Sequence, residues 1–318
     1  MTNHASVAGR LDPRAAARIT RETALLSVGV ALVLIAAKAW AWSVSDSISM
    51  LASLADSGLD LVASVFTLWA VTYAATPPDA DHGYGHGKAE SFSALLQALL
   101  VGASAALIGV EAVDKMRAPV PVESGAVAIG VMLGSIALTG ALIWFQTRAV
   151  RRTGSIATAG DRAHYSADLV SNIGVIIAIA SSAFLGLNYA DPVIGFLLAL
   201  WLAWGALGVA RSAINQLMDR ELPDAARARI KALAEGGEYT LAIHRLRTRA
   251  AGPIIHIQFH LDVPADISIG AAHDLMVACE NRILAEFPGA DVLIHPDPSG
   301  VTEKHGAKFF SGARGRGS

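Results

Sequence analysis

The sequence predicts an α-helical integral membrane protein: a six-transmembrane-helix bundle plus a small C-terminal α/β domain of order α-β-β-α-β. Three observations carry this. The 318 residues are 53% hydrophobic and only 16% charged, where ordinary soluble domains carry about 25% charged residues. Six segments reach the ~20 mostly apolar residues that a bilayer crossing requires. From Leu222 onward the long apolar runs stop, and shorter alternating and amphipathic patterns replace them.

The N-terminal residues 1–21 read as a polar, basic arm with no apolar core of their own, so no cleavable leader is expected. The bundle is expected over residues 22–216, with spans at roughly 23–44, 48–75, 91–113, 122–147, 163–187 and 191–213. Short segments with turn chemistry separate them, among them Ser45-Asp46-Ser47, Thr76-Pro77-Pro78-Asp79, Ala118-Pro119 and the Asn188–Pro192 stretch. Arg10, Arg14, Arg18 and Arg21 precede span one, and Arg148, Arg151, Arg152 and Arg162 follow span four. Arg211 and Arg220 follow span six, whereas the opposite loops offer Lys115 and Arg117. This asymmetry predicts cytoplasmic termini at both ends. Lys38, inside span one, is read as an interfacial anchor whose stem snorkels outward.

Residues 217–299 read as a separate domain. Pro223-Asp224 opens a helix to about Glu235. Residues 244–250 and 253–263 alternate as strands joined by Ala251-Gly252. Ser268 caps a helix to about Phe287, and residues 290–297 form a third strand. The tail, 300–318, has no apolar pattern and is expected to be disordered.

Composition also limits function. A formal net charge of −2 speaks against nucleic acid as a partner. The single cysteine, Cys279, excludes a thiolate cluster and an internal disulfide.

Two acids interrupt span two. Asp56 and Asp60 lie four apart and so share a helix face, and a carboxylate at mid-bilayer costs roughly 2.5–3.5 kcal/mol even on a mild scale. Span five repeats the spacing with His164 and Asp168; no other acid is read at comparable depth. Three carboxylates and an imidazole from two helices match a four-ligand tetrahedral site, and nitrogen plus oxygen ligands suit zinc while tolerating cadmium, iron(II), cobalt or manganese. After span two, Asp79, His82 and His86 can converge across a glycine-rich turn. HGYGH lacks the glutamate of a zinc-protease motif, so no hydrolase chemistry is read here. In the C-terminal domain His244, His260, His273, His295 and Asp297 could build a site for two ions, and His256 reads as an ordinary half-buried strand residue.

SLADSGLD, DHGYGHGKAE, HYSAD and LMDRELPD, in this order, resemble the cation diffusion facilitator family, most nearly its bacterial zinc and iron(II) exporters. The resemblance implies a homodimeric, multi-pass transporter of the bacterial inner membrane that is not an enzyme. It would exchange zinc for protons by alternating access, with cadmium and iron(II) as further candidates. Its alternatives are a membrane-bound metal sensor and an uncoupled channel. No cofactor is implied; zinc is substrate and regulatory ion. Asp56, Asp60, His164 and Asp168 look like the transport site, and Asp79, His82 and His86 like a loop site. The five C-terminal residues look like a binuclear site with Asp297 bridging. Lys88 and Asp219 look like a charge interlock at the dimer interface. Pro296 departs from the glutamine of near relatives and offers no side-chain donor or acceptor.

Overall fold

The computed structural model describes residues 8–45, 48–117, 126–185, 190–237 and 242–300. The expected disordered tail beyond Gly300 and the turn at Ala118-Pro119 lie outside the described residues.

Six long helices form in the expected order: α1 (Pro13–Ser45), α2 (Ile48–Ala74), α3 (Ala89–Arg117), α4 (Ala126–Thr153), α5 (Ile156–Leu185) and α6 (Ala190–Leu217). All except α5 are long and apolar enough, over their described residues, to cross a membrane. Helix α5 spans 30 residues and carries Asp161, Arg162, His164 and Asp168 in its first half. α3 runs along α6 and α1 along α2, while α5 contacts α2, α3, α4 and α6.

Three helix boundaries differ from the hydropathy reading, because caps rather than apolarity set them. α1 starts at Pro13, not near 23. Asp12 Oδ1 accepts the backbone N–H of Arg14 at 2.9 Å and of Ala15 at 3.2 Å, and proline suits the first helical position. α4 continues to Thr153 and α5 begins at Ile156 rather than 163, leaving only Gly154-Ser155 between them. Gly154 takes the left-handed φ of 69° and its N–H closes on Val150 O at 2.9 Å. The Ser155 hydroxyl then accepts the N–H of Thr158 at 3.2 Å, the ordinary N-cap bond.

Within residues 1–21, read as a polar arm, the described part before α1 packs on the C-terminal domain. Ala8 is buried in the core of the C-terminal domain. Gly9 O accepts the N–H of Gly289 at 2.9 Å, and Arg10 lies over the Phe287 ring, 5.2 Å from its centroid.

The C-terminal domain consists of α7 (Asp224–Glu235), β1 (Ile243–Ala251), β2 (Ile254–Val263), α8 (Ile269–Glu286) and β3 (Ala290–Pro298). β1 and β2 form an antiparallel hairpin; β3 pairs parallel to β2, with α8 making the crossover. Ile230, Ile255, Ile257, Phe259, Leu261, Cys279, Ile283 and Phe287 fill the core. Full burial of such side chains contributes about 1.5–3 kcal/mol each. The strand register puts His244 opposite His260 and His260 opposite His295, a row of three imidazoles across the sheet. A bulge between His244 and Arg247, with Arg245 at a φ of 53°, sets His244 apart from the regular ladder.

Candidate metal sites

The first group lies between α2 and α5. The helical repeat stacks His164 and Asp168 on one face of α5, and that face meets Asp60 of α2. His164 Nε2 donates to Asp60 Oδ1 at 2.8 Å and stands 3.9 Å from Asp168 Oδ2. One ligand atom from each of the three lies within 4.8 Å of the others. Asp60 and His164 are buried at 5% and 7% exposure, and the buried Asp168 Oδ2 has no hydrogen-bond partner among the described residues. An orphaned carboxylate oxygen beside an imidazole suits a cation. Asp56, the fourth expected ligand, is exposed and stands outside this group.

The surroundings hold residues the hydropathy reading missed. Lys38 does not snorkel: its ammonium donates to Ser57 Oγ at 2.6 Å and to Ser53 O at 3.1 Å, both on α2. The buried part of α5 also holds a further acid, Asp161, at 1% exposure. It accepts from Ser27 Oγ of α1 at 2.6 Å, Gln146 Nε2 of α4 at 2.8 Å and Gln97 Nε2 of α3 at 3.4 Å. Glu90 of α3, exposed 2%, accepts from Ser155 Oγ at 2.6 Å at the start of α5, where a carboxylate complements the helix dipole. The sequence did carry a signal for Asp161: it precedes His164 by three residues and so shares its face.

The second group occupies the turn between α2 and α3. Asp79 Oδ1 accepts from the backbone N–H of His82 at 2.7 Å and of Asp81 at 3.0 Å, and lies 3.1 Å from His82 Nδ1. Asp79 Oδ2 is 3.1 Å from His86 Nε2. These backbone donors, the His82 amide first, hold the Asp79 carboxyl below the usual carboxylate range. All three expected residues thus come together, with His86 buried and Asp79 and His82 exposed. The Thr76 hydroxyl meets His86 Nδ1 at 2.8 Å and orients the ring so that Nε2 faces Asp79.

The third group lies at the sheet end marked by the histidine row. Asp297 is buried at 4% exposure. Its Oδ2 is 3.1 Å from His244 Nε2 and 2.9 Å from His260 Nδ1, and its Oδ1 is 3.2 Å from His295 Nε2. One carboxylate facing three imidazoles with two oxygens is suited to bridge two ions. Burial, helped by the neighbouring His295 and His244, lowers the His260 pKa against the raising effect of Asp297. His273 on α8 is exposed and stands outside the group. Asp262, not anticipated, approaches His244 Nδ1 at 3.5 Å. The Lys88 ammonium and Asp219 carboxylate meet at 3.0 Å where α3 begins and α6 ends; Arg249 reaches the same carboxylate at 3.3 Å.

Comparison with known proteins is consistent along most of the chain. Residues 24–218 match the cation efflux transmembrane domain, and residues 222–299 match the cation efflux protein cytoplasmic domain. A cation-efflux pump FieF of Shewanella oneidensis is 40% identical over 272 residues, covering 86% of this chain and 92% of its own. Its namesake from Salmonella newport is 35% identical over 292 residues, covering 92% and 97%. A solved chain of CzrB, described as a candidate zinc transporter and taken in its zinc form, is 36% identical. It covers 27% of this chain and 100% of its own, with a TM-score of 0.25. With both domain models matched in order and relatives aligned nearly end to end, the chain belongs to the cation efflux, or cation diffusion facilitator, family and is a transporter rather than an enzyme.

Proposed function

We propose that this protein exports zinc in exchange for protons, as a homodimer with cytoplasmic termini in a bacterial inner membrane. Cadmium and iron(II) are competing substrates of the same donor set. The observation that carries the reading is the buried hydrogen bond from His164 Nε2 to Asp60 Oδ1 at 2.8 Å, beside the unpartnered Asp168 Oδ2.

A zinc ion that takes the Nε2 lone pair must displace the proton donated to Asp60. Metal and proton therefore compete for one nitrogen, and entry of one releases the other. Asp60 on α2 and Asp168 on α5 hold the ion from two helices, and Asp56 completes four ligands when α2 turns its exposed carboxylate inward. Binding thus acts on the relative position of α2 and α5, the motion that alternating access requires. The match to the family's cytoplasmic domain, whose model is named for dimerisation, supports the homodimer. In it the His244, His260, His295 and Asp297 group serves as a regulatory zinc site, with His273 joining on closure. The Lys88–Asp219 pair braces the bundle where the two domains meet.

Flux into proteoliposomes tests this. Zinc, cadmium and iron(II) are supplied with and without an imposed pH gradient, for the parent protein and for His164→Ala and Asp168→Ala. Zinc uptake driven by the gradient and lost in both variants is expected. Uptake indifferent to the gradient would mark an uncoupled channel, and binding without uptake a sensor.

A further inference from the structure

His256 is buried at 4% exposure on β2, yet it belongs to none of the three groups. Its Nδ1 lies 2.9 Å from Asp291 Oδ2, while its Nε2 is buried with no hydrogen-bond partner among the described residues. A histidine whose Nδ1–H is held by a carboxylate presents a lone pair at Nε2. That is the arrangement metal-ligating histidines adopt. Leaving such a nitrogen buried and unpaired is unfavourable, which a core role does not explain.

The same side chain lines a cavity of about 530 Å³ together with His82 and His86 of the loop group. Tyr84 lines the same cavity; its ring meets the His256 ring edge-on at 5.5 Å and carries the Arg249 guanidinium on it at 4.6 Å. Glycines flank Tyr84 on both sides. A side chain at Gly83 would meet nothing within 4 Å, and Gly85 takes a φ of +77°. His82 is half exposed and held through Asp79.

Resting on the reading of Asp79, His82 and His86 as a metal site, we propose that His256 is a further ligand for the divalent ion held there. It is engaged when Tyr84 swings out, so that one ion joins the α2–α3 turn to the C-terminal sheet. The ligand class is a borderline cation that accepts imidazole nitrogen, zinc first. Asp291 acts as the positioning residue that keeps the Nε2 lone pair free.

The test uses the full chain with the other two sites disabled by His164→Ala and by His244→Ala together with His260→Ala. Zinc binding is measured by calorimetry, and coordinated imidazoles are counted by X-ray absorption. Three imidazoles are expected in this background. His256→Phe, which keeps a ring against Tyr84, should leave two and weaken binding about tenfold to a hundredfold. Asp291→Asn should weaken it in the same direction without altering the fold of β2. Unchanged affinity and imidazole number in His256→Phe, with loss on His82→Ala, would overturn this inference and leave the loop site standing. Absence of zinc from the loop in the parent background would overturn both.

Discussion

The Lys38 ammonium on α1 donates to the Ser57 hydroxyl on α2 at 2.6 Å, and Ser57 directly follows Asp56 and precedes Asp60 by three residues. A fixed cation thus stands beside the acids that are proposed to receive a divalent ion. It compensates their charge when no ion is bound and repels the ion as it arrives. Lys38→Met should therefore tighten zinc binding severalfold, because a like charge is removed from the surroundings of the ion. Lys38→Arg should bind like the parent. Zinc titration of the three proteins in detergent at one pH checks this, and equal affinities would show that Lys38 is only structural.

Asp161 ties α5 to α1, α3 and α4 through Ser27, Gln97 and Gln146. Removing the acceptor leaves buried donors unpaired at about 1–3 kcal/mol each. Asp161→Ala should accordingly lower the thermal midpoint in detergent by several degrees. Asp161→Asn should be far milder, because the Oε1 atoms of Gln97 and Gln146 are buried and unpartnered and can accept from the new amide. An Asn variant as damaged as the Ala variant would show that the charge, not the hydrogen bonding, is what the site needs.

Much of this was legible in the sequence, and the parts that were not share a physical cause. The C-terminal elements were readable because turns, caps and alternation mark them locally: Ala251-Gly252 closes a hairpin and Ser268 accepts from Ala271 N–H at 3.1 Å. Asp60, His164 and Asp168 were readable because charge in an apolar run needs a reason. Helix starts at Pro13 and Ile156 were missed because hydropathy marks where lipid begins, not where capping closes a helix. The displacement of Asp56 from its group, the inward turn of Lys38 and the burial of His256 depend on how helices and strands rotate against their neighbours, which no local spacing encodes.

Protons should act on the C-terminal group through His260, and the Asp79 carboxylate of the loop group should resist them. Asp79 sits below the usual carboxylate range because backbone N–H groups hold its charged form, so it stays ionised through mild acid. The stability it contributes is present above its unfolded pKa, near 3.9, and is lost only as pH falls through the lower folded value. The His260 pKa is lowered, chiefly by burial, so the folded domain favours the neutral ring. That contribution is present above the unfolded value near 6.5 and declines as pH falls through the folded one. Zinc affinity of the His260–Asp297 group should be nearly flat from pH 8 to 7 and fall steeply below 6.5. Zinc titrations across that range check this; a midpoint near pH 4 would point to carboxylate control instead.

The α2–α3 turn and the β1–β2 hairpin meet backbone to backbone at Gly87. A Cβ there would collide with Ala251 O and stand 2.6 Å from Ala251 C, and carbonyl atoms of a paired strand cannot yield as a side chain tip would. Across the contact Gly252 holds a φ of +59°, a conformation that suits glycine. Gly87→Ala should therefore separate the turn from the hairpin without replacing a proposed ligand. Hydrogen exchange at residues 250–252 should rise, and the zinc dependence of transport should flatten while the His164 and Asp168 chemistry persists. If exchange and zinc dependence both match the parent, communication between the membrane helices and the C-terminal domain runs through the Lys88–Asp219–Arg249 cluster instead.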